Sequence, residues 1–443
     1  MPKPVRKTEN EKIYKKHGYV ASFCKTLKTE NGVISKRQYD KVRKAILDND
    51  FPKDLNVRLV DPRASLNLYK LDPKLSYLHL KLPFNAFDSK QMGLELLQLY
   101  FLSLIRDVKF VDYKNDPLVK EFDGLLKEIP FLNKTYEGPF ISQLLLISKQ
   151  PSLLPKNYVT DYKTYDDIHS GIVNKPAQTN GPDRFIITFR DLAETVHNDL
   201  PAQLYIDAAK WLFKNHPKAF INPYAETSTV GFIGFSLPFL ISQMTSATTL
   251  ALEACWYYKW QIYRSCRPEE IARHIDSLVS GETKPYKKMP NDVIFSNPLL
   301  TKISAIQGNV LLSQAYSEAS PPHPSFVAGH ASIAGACVTL LKAFFDTNYV
   351  ITNPMVPNDD GSALVSLTGV TLRLGDELDK FAEIIGIGRS IAGIHFKSDN
   401  DAGLFLGETI GLEILHEIKK RFDLSELKFH FTVKKFDGTV VKI

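Results

Sequence analysis

Residues 321–345 read PPHPSFVAGHASIAGACVTLLKAFF, and the fold turns on them. Pro321, Pro322 and Pro324 deny the chain a helix. After Ala328-Gly329-His330, an unbroken run of Ala, Leu and other small residues predicts a helix that starts at a glycine turn. The first N–H groups of such a helix lack intrahelical partners and sit at the positive end of its dipole, which makes an anion site. His330 falls in the first turn, and His323 lies seven residues upstream on the rigid arm. Alone, these residues describe equally well a buried helix start with two incidental histidines. The decision rests on what else in the chain converges there.

The wider chain is compatible with a large core. Its 443 residues, 44% hydrophobic and 23% charged, describe an ordinary globular protein, with room for one large domain or two to three ordinary ones. The net charge of +6 is partly local: Lys3, Arg6, Lys7, Lys12, Lys15 and Lys16 crowd the start, diluted by Glu9 and Glu11. This reads as a solvated arm rather than a nucleic-acid tail, and no nucleic-acid motif accompanies it. No apolar leader opens the chain. Cys24, Cys255, Cys266 and Cys337 form no CxxC, and the last three lie in apolar helical patterns, as small buried residues do. Together these features point to a cytoplasmic protein. Thr227–Leu252 carries no charge, but Pro238, Gln243 and its many Ser and Thr mark a buried core helix rather than a membrane span.

Helical spacing recurs at Lys36–Asp48, Lys90–Asp107, Leu118–Glu128, Arg190–His197, Pro201–Asn215, Leu237–Cys266, Pro268–Val279, Asp376–Ala392 and Asp399–Phe422. Residues 1–35 read as an irregular arm, 130–185 and 280–324 as long loops, and 353–361 as a loop. The tail LKFHFTVKKFDGTVVKI (427–443) alternates around Asp437-Gly438, as a β-hairpin does. The expected fold is all-α: bundles of long helices with long loops and a short C-terminal hairpin, in a single domain over 1–443.

Two stretches supply partners for the helix start. In KWQIYRSCRP (259–268), Pro268 biases Arg267 away from helical geometry, onto the turn between two helices. Lys259, eight residues back, lies within about 80° of the same face on an ideal helix. In GRSIAGIHF (388–396), Gly393 is a natural helix C-terminus, with Arg389 in the last turn and His395 on the loop beyond. Gly386 and Gly388 lack the third glycine and the preceding strand of a dinucleotide loop. Three fixed cations, Lys259, Arg267 and Arg389, with the Gly329 N–H, suit a highly charged tetrahedral oxyanion and would repel a zinc ion. Two histidines then remain for chemistry, one to bond the central atom and one to move a proton.

At this point the sequence resembles the vanadium-dependent haloperoxidases, most closely their algal bromoperoxidase branch, which share their anion site with the phosphatidic-acid-phosphatase-like phosphatases. KWQIYRSCRP, HPSFVAGHA and GRSIAGIHFKSD carry the resemblance in that order. It extends through LIRDVKF (104–110), GPFISQ, FRDLAETVH, NPY, LFLGETI and KFDGTVV over nearly the whole chain. The seven-residue spacer between Lys259 and Arg267 looks algal; the phosphatases generally use six. The resemblance implies vanadate as cofactor, with His395 bonding vanadium axially. Lys259, Arg267, Arg389 and the Gly329 N–H would hold the equatorial oxygens. It makes His330 the acid–base residue and places His323 at a position that is histidine in bromoperoxidases. Lys259 would polarise bound hydrogen peroxide, bromide or iodide would leave as hypohalite, and an organic acceptor would be halogenated, with vanadium keeping one oxidation state. Algal relatives form dimers or larger shells, implying a homo-oligomer. Some bind calcium, to which no carboxylate cluster here commits.

One position departs from the family. Ala328 stands where the family usually has Ser, so a hydroxyl donor to the anion is missing. That loss puts efficiency in question and keeps two other readings in view. One is a phosphatase using the same pocket, with His395 as nucleophile and His330 as leaving-group acid; the other is a non-catalytic oxyanion-binding protein. Trp256, Tyr257 and Tyr258 fit either a halide pocket or core packing.

Overall fold

A computed structural model describes residues 5–16, 34–55, 57–128, 138–172, 180–198, 200–281, 292–423 and 429–443. Lys3, Cys24 and the first residues of the 427–443 tail lie outside them. The described chain is mainly helical, with three two-stranded antiparallel pieces: 350–351 with 372–373, 355–357 with 364–366, and 432–434 with 440–442. Among the described residues no helix is long and apolar enough to cross a membrane.

The Gly329–Phe344 helix is the axis of the fold, buried from Ala331 to Phe344. Three helices pack on it: Leu237–Tyr257, Leu374–Ile391 and Lys397–Asp423. The Lys397–Asp423 helix comes closest because Gly403, Gly407 and Gly411 clear one of its faces at four-residue steps. A Cβ on Gly407 would stand 2.0 Å from the Ser332 carbonyl oxygen, and one on Gly335 2.3 Å from that of Leu404. Backbone therefore meets backbone, and no side chain larger than hydrogen fits. This contact carries the helix start at Ala328 onto the start of its neighbour, where the Ala328 N–H donates to the Asp399 carbonyl at 2.9 Å.

The apolar Leu237 run behaves differently from its sequence reading. It is α-helical only to Tyr257, continues as a π-helix over Tyr258–Tyr263 and stops at Arg264, whose φ of 46° is left-handed. Cys266 thus lies in the extended stretch after it, buried but not helical. A π turn accommodates one residue more than an α turn needs, and the Lys259–Arg267 stretch begins inside it.

The brace for this unusual backbone comes from the chain's other end. Residues 1–35, read as irregular, contain the helix Glu9–Lys16. Glu11 lies fully buried against the Arg264 guanidinium (Nε–Oε1 2.8 Å, Nη2–Oε2 3.0 Å). The Tyr14 hydroxyl donates to the Arg264 carbonyl at 3.1 Å and accepts from the Cys266 N–H at 2.9 Å. Sequence pattern could not find this helix, because its stability comes from partners about 250 positions away rather than from its own eight, mostly polar, residues. Glu11→Ala leaves Arg264 buried and unpaired, with an expected loss of about 3–5 kcal/mol. A urea-unfolding midpoint unchanged from wild type would contradict the brace.

Two further stretches read as loops contain helices: Tyr162–His169 within 130–185, and Asp292–Phe295 with Pro298–Gln307 within 280–324. Tyr162–His169 and Pro298–Gln307 each follow a local cap, Asp161 and Asn297, whose side chain accepts a backbone N–H. The 353–361 loop carries the short strand Met355–Pro357. The C-terminal hairpin forms at Asp437-Gly438, pairing Thr432 with Lys442. It is pinned to the bundle by the Phe436 N–H on Glu408 Oε1 at 2.7 Å.

Candidate active site

Four segments bring their polar groups to the start of the Gly329–Phe344 helix. Ala328 is its N-cap, fully buried, and offers no side-chain acceptor to the first turn. Gly329 packs its bare α-carbon toward Leu252, Cys255 and Trp256 of the neighbouring helix. His330 follows in the first turn, half-buried.

Lys259 leaves the π turn into this space and is wholly buried. Its ammonium donates to the Pro324 and Ser325 carbonyls at 2.8 and 2.6 Å. An ammonium has three donors, so one remains. Arg267 has the extended backbone expected before proline (φ −86°, ψ 158°). Its Nε donates to the His323 carbonyl at 3.0 Å and its Nη1 to the Ile394 carbonyl at 2.8 Å. Arg389, in the last turn before Gly393 (φ 91°), donates through Nη1 to the Val196 carbonyl at 2.6 Å and lies over the Tyr316 ring. Its buried Nε has no protein partner. Among the described residues none of the three cations forms an ion pair.

The tautomer of His395 follows from its two partners. His395 Nε2 lies 3.0 Å from Arg267 Nη1. A guanidinium can only donate, so Nε2 carries the lone pair. The ring proton is therefore on Nδ1, which donates to Asp399 Oδ2 at 2.9 Å. Asp399 also accepts from the Phe396 N–H at 3.1 Å and from the Ser325 hydroxyl. The ring is thus held from behind, with its basic nitrogen turned toward the cations. His323 Nδ1 lies 3.0 Å from Arg267 Nη2, which can only donate, and 3.2 Å from the Pro324 carbonyl, which can only accept. Burial, then Arg267, Lys259 and Arg389, hold both imidazoles well below the ordinary histidine range. Both are neutral near pH 7.

Burial also brings Lys259 down from 10.5 to about 7. Between those two pH values the unfolded chain holds a proton that the folded chain lacks, so this group's contribution to stability rises with pH across that window. Below pH 7 the cost of a buried ammonium is present in full. A bound dianion favours the charged form and reverses the shift. Binding of sulfate, which does not titrate here, is expected to take up close to one proton at pH 8 and almost none at pH 6. Titration calorimetry in two buffers of different ionisation heat reads this directly, and zero uptake at pH 8 would contradict it.

Lys259, Arg267, Arg389, Gly329, His323, His330 and His395 therefore all sit at or beside one helix start. Of the three aromatics, only Trp256 faces it, with its ring 4.8 Å from that of His323 and 5.9 Å from Lys259 Nζ. Tyr257 stacks on Tyr69, and the Tyr258 hydroxyl bonds Leu80 N and Tyr77 O, so both belong to the core. Sequence reasoning missed Asp399 as the partner of His395, although a carboxylate four residues on, in the first turn of a helix, is a legible signal. It also missed Ser325.

The donor set fits a tetrahedral oxyanion. Three buried cations without carboxylate partners, an orphaned guanidinium N–H, an uncapped helix start and one unprotonated ring nitrogen are groups that such an anion satisfies together.

Known proteins resemble this chain. The family described as VCPO second helical-bundle domain matches residues 239–423, the span that holds every cation and histidine above. A vanadium-dependent bromoperoxidase of Ascophyllum nodosum is 29% identical over 443 residues, covering 87% of this chain and 77% of that protein. One from Corallina officinalis is 33% identical over 347 residues, covering 73% of this chain; the chain spans 55% of that relative's length. The solved homohexameric second vanadate-dependent bromoperoxidase of Ascophyllum nodosum superposes with a TM-score of 0.87 over 100% of this chain and 87% of its own, at 20% identity. That likeness extends the shared fold to the whole length.

Proposed function

The chain belongs to the vanadium-dependent haloperoxidases, on their algal bromoperoxidase branch, and from that membership we propose that it oxidises bromide or iodide with hydrogen peroxide to hypohalite, which halogenates organic acceptors. The observation that carries this reading is the His395 Nε2 lone pair, fixed by Asp399 and turned toward three cations that have no carboxylate. His395 would bond vanadium, and Lys259, Arg267, Arg389 and the Gly329 N–H would hold the oxygens. Bound vanadate supplies a Lewis acid that activates peroxide toward halide without changing oxidation state.

The chain's own residues do the rest. Arg267 is locked by two carbonyls and His395 and lies against His323, so its Nη2 is fixed in place before anything binds. Lys259 keeps one N–H to polarise a peroxide oxygen. His330, on the half-buried side, moves the proton. His323 positions Arg267 and stands with Trp256 where halide arrives. A homohexameric structural relative supports a homo-oligomer here.

Bromination of phenol red by the purified protein, with and without orthovanadate and with phosphate as competitor, tests the reading. Vanadate-dependent turnover suppressed by phosphate is expected. Phosphomonoester hydrolysis blocked by vanadate, without bromination, would transfer the assignment to a phosphatase. Ala328 adds a graded test: Ala328→Ser restores a donor to a charged oxygen, worth roughly 1.5–3 kcal/mol. The vanadate concentration for half-maximal reactivation is expected to fall about tenfold or more.

A further inference from the structure

A second concavity lies beside the anion site, in part of the chain that the chemistry above leaves unused. It is a cleft of about 650 Å³ along residues 51–63, closed on the other side by Ser170 and Gly171. That volume is in the range of small-molecule sites. Phe51, Leu55, Val57 and Leu59 give it a half-buried apolar floor. Its charges are of mainly one sign: Lys53, Arg58 and Arg63 against Asp61. The Arg63 guanidinium lies 5.3 Å from the centre of the Phe51 ring, presenting a cation beside an aromatic face.

Both walls are tied to the catalytic arm. The Val60 N–H donates to the Pro322 carbonyl at 3.0 Å, and its carbonyl accepts from Trp256 Nε1 at 3.2 Å. Pro322 adjoins His323, and Trp256 packs on it. On the other side His169, next to Ser170, faces Glu269 at 3.3 Å, and Glu269 holds the Ser320 N–H. Val60 thus ties the stretch that lines the cleft to the Trp256–His323 side of the site.

We infer that this cleft binds the organic acceptor, a small electron-rich aromatic such as a phenolic acid, with its ring on the Phe51–Leu59 floor and its anionic group on Lys53 and Arg63. The inference rests on the haloperoxidase reading. Hypobromous acid leaving past Trp256 then meets a bound ring. The O–Br bond breaks as a C–Br bond forms, and the ring proton leaves with the hydroxide as water.

4-Hydroxybenzoate is the probe, with its affinity measured by saturation-transfer NMR on the full chain without peroxide, at low ionic strength so that exposed charges are little screened. Lys53→Glu and Arg63→Glu, both exposed, are each expected to weaken binding about tenfold, equivalent to about 1.4 kcal/mol. In the vanadate-loaded enzyme, bromination of 4-hydroxybenzoate relative to neutral phenol should fall in step, with phenol turnover unchanged. Absent binding, or binding and acceptor ratio indifferent to both substitutions, overturns the inference and leaves the haloperoxidase reading standing. Binding without any bromide oxidation removes its premise and overturns both.

Discussion

His395→Ala is expected to abolish vanadate-dependent bromide oxidation, by roughly 10³-fold or more, while leaving the fold in place. The ring makes no backbone hydrogen bond; its partners are Asp399, Arg267 and, at 3.4 Å, the Ser325 hydroxyl. Asp399 keeps the Phe396 N–H and the Ser325 hydroxyl after the ring is removed, and Arg267 keeps the His323 and Ile394 carbonyls. Loss of activity should therefore come without a large change in unfolding midpoint. The readout that separates the role is direct binding, because the cations remain. Sulfate should still bind the variant, whereas orthovanadate should lose the advantage that a bond to nitrogen gives it. Equal loss of both anions, or retained turnover, would contradict the assignment.

Asp399→Ala is the second large effect, and it acts through His395. Without the carboxylate, nothing but the Ser325 hydroxyl faces Nδ1, so the tautomer with its lone pair toward Arg267 is no longer enforced. Losing such a partner typically costs about 10–100-fold in affinity or rate. The Phe396 N–H and Ser325 hydroxyl also lose their acceptor, costing about 1–3 kcal/mol each. A lower unfolding midpoint and weaker vanadate binding should appear together. Asp399→Asn separates them: an amide oxygen still accepts from Nδ1, so affinity should recover more than it does with alanine. No difference between the two variants would make Asp399 a packing residue only.

How much of this was legible in the sequence depended on how local the cause was. The Gly329 helix start, the Arg267-Pro268 turn and the Gly393 stop each follow from proline or glycine acting on adjacent backbone, and each stands where the residues place it. Lys259 faces the site, yet by a different route from the one the spacing offered. The spacing offers an ideal helix, whereas a π turn held by Arg264 and Glu11 delivers it. No periodicity announces a turn whose cause is a carboxylate 253 residues upstream. The glycine stripe at 403, 407 and 411 was visible as letters but not as a contact, since only the partner backbone at Ala328, Ser332 and Ala336 gives those glycines their meaning. The same holds for the cleft, whose lining stretch is pinned at Val60 to Pro322 and Trp256.

In the proposed function His395 and three cations without carboxylate partners form one vanadate site. A crystal structure of the protein soaked in orthovanadate tests this. Vanadium bonded to His395 Nε2 is expected, with its oxygens on Lys259, Arg267, Arg389 and the Gly329 N–H. Vanadium bound elsewhere, or an anion among the cations with no bond to His395, would contradict it.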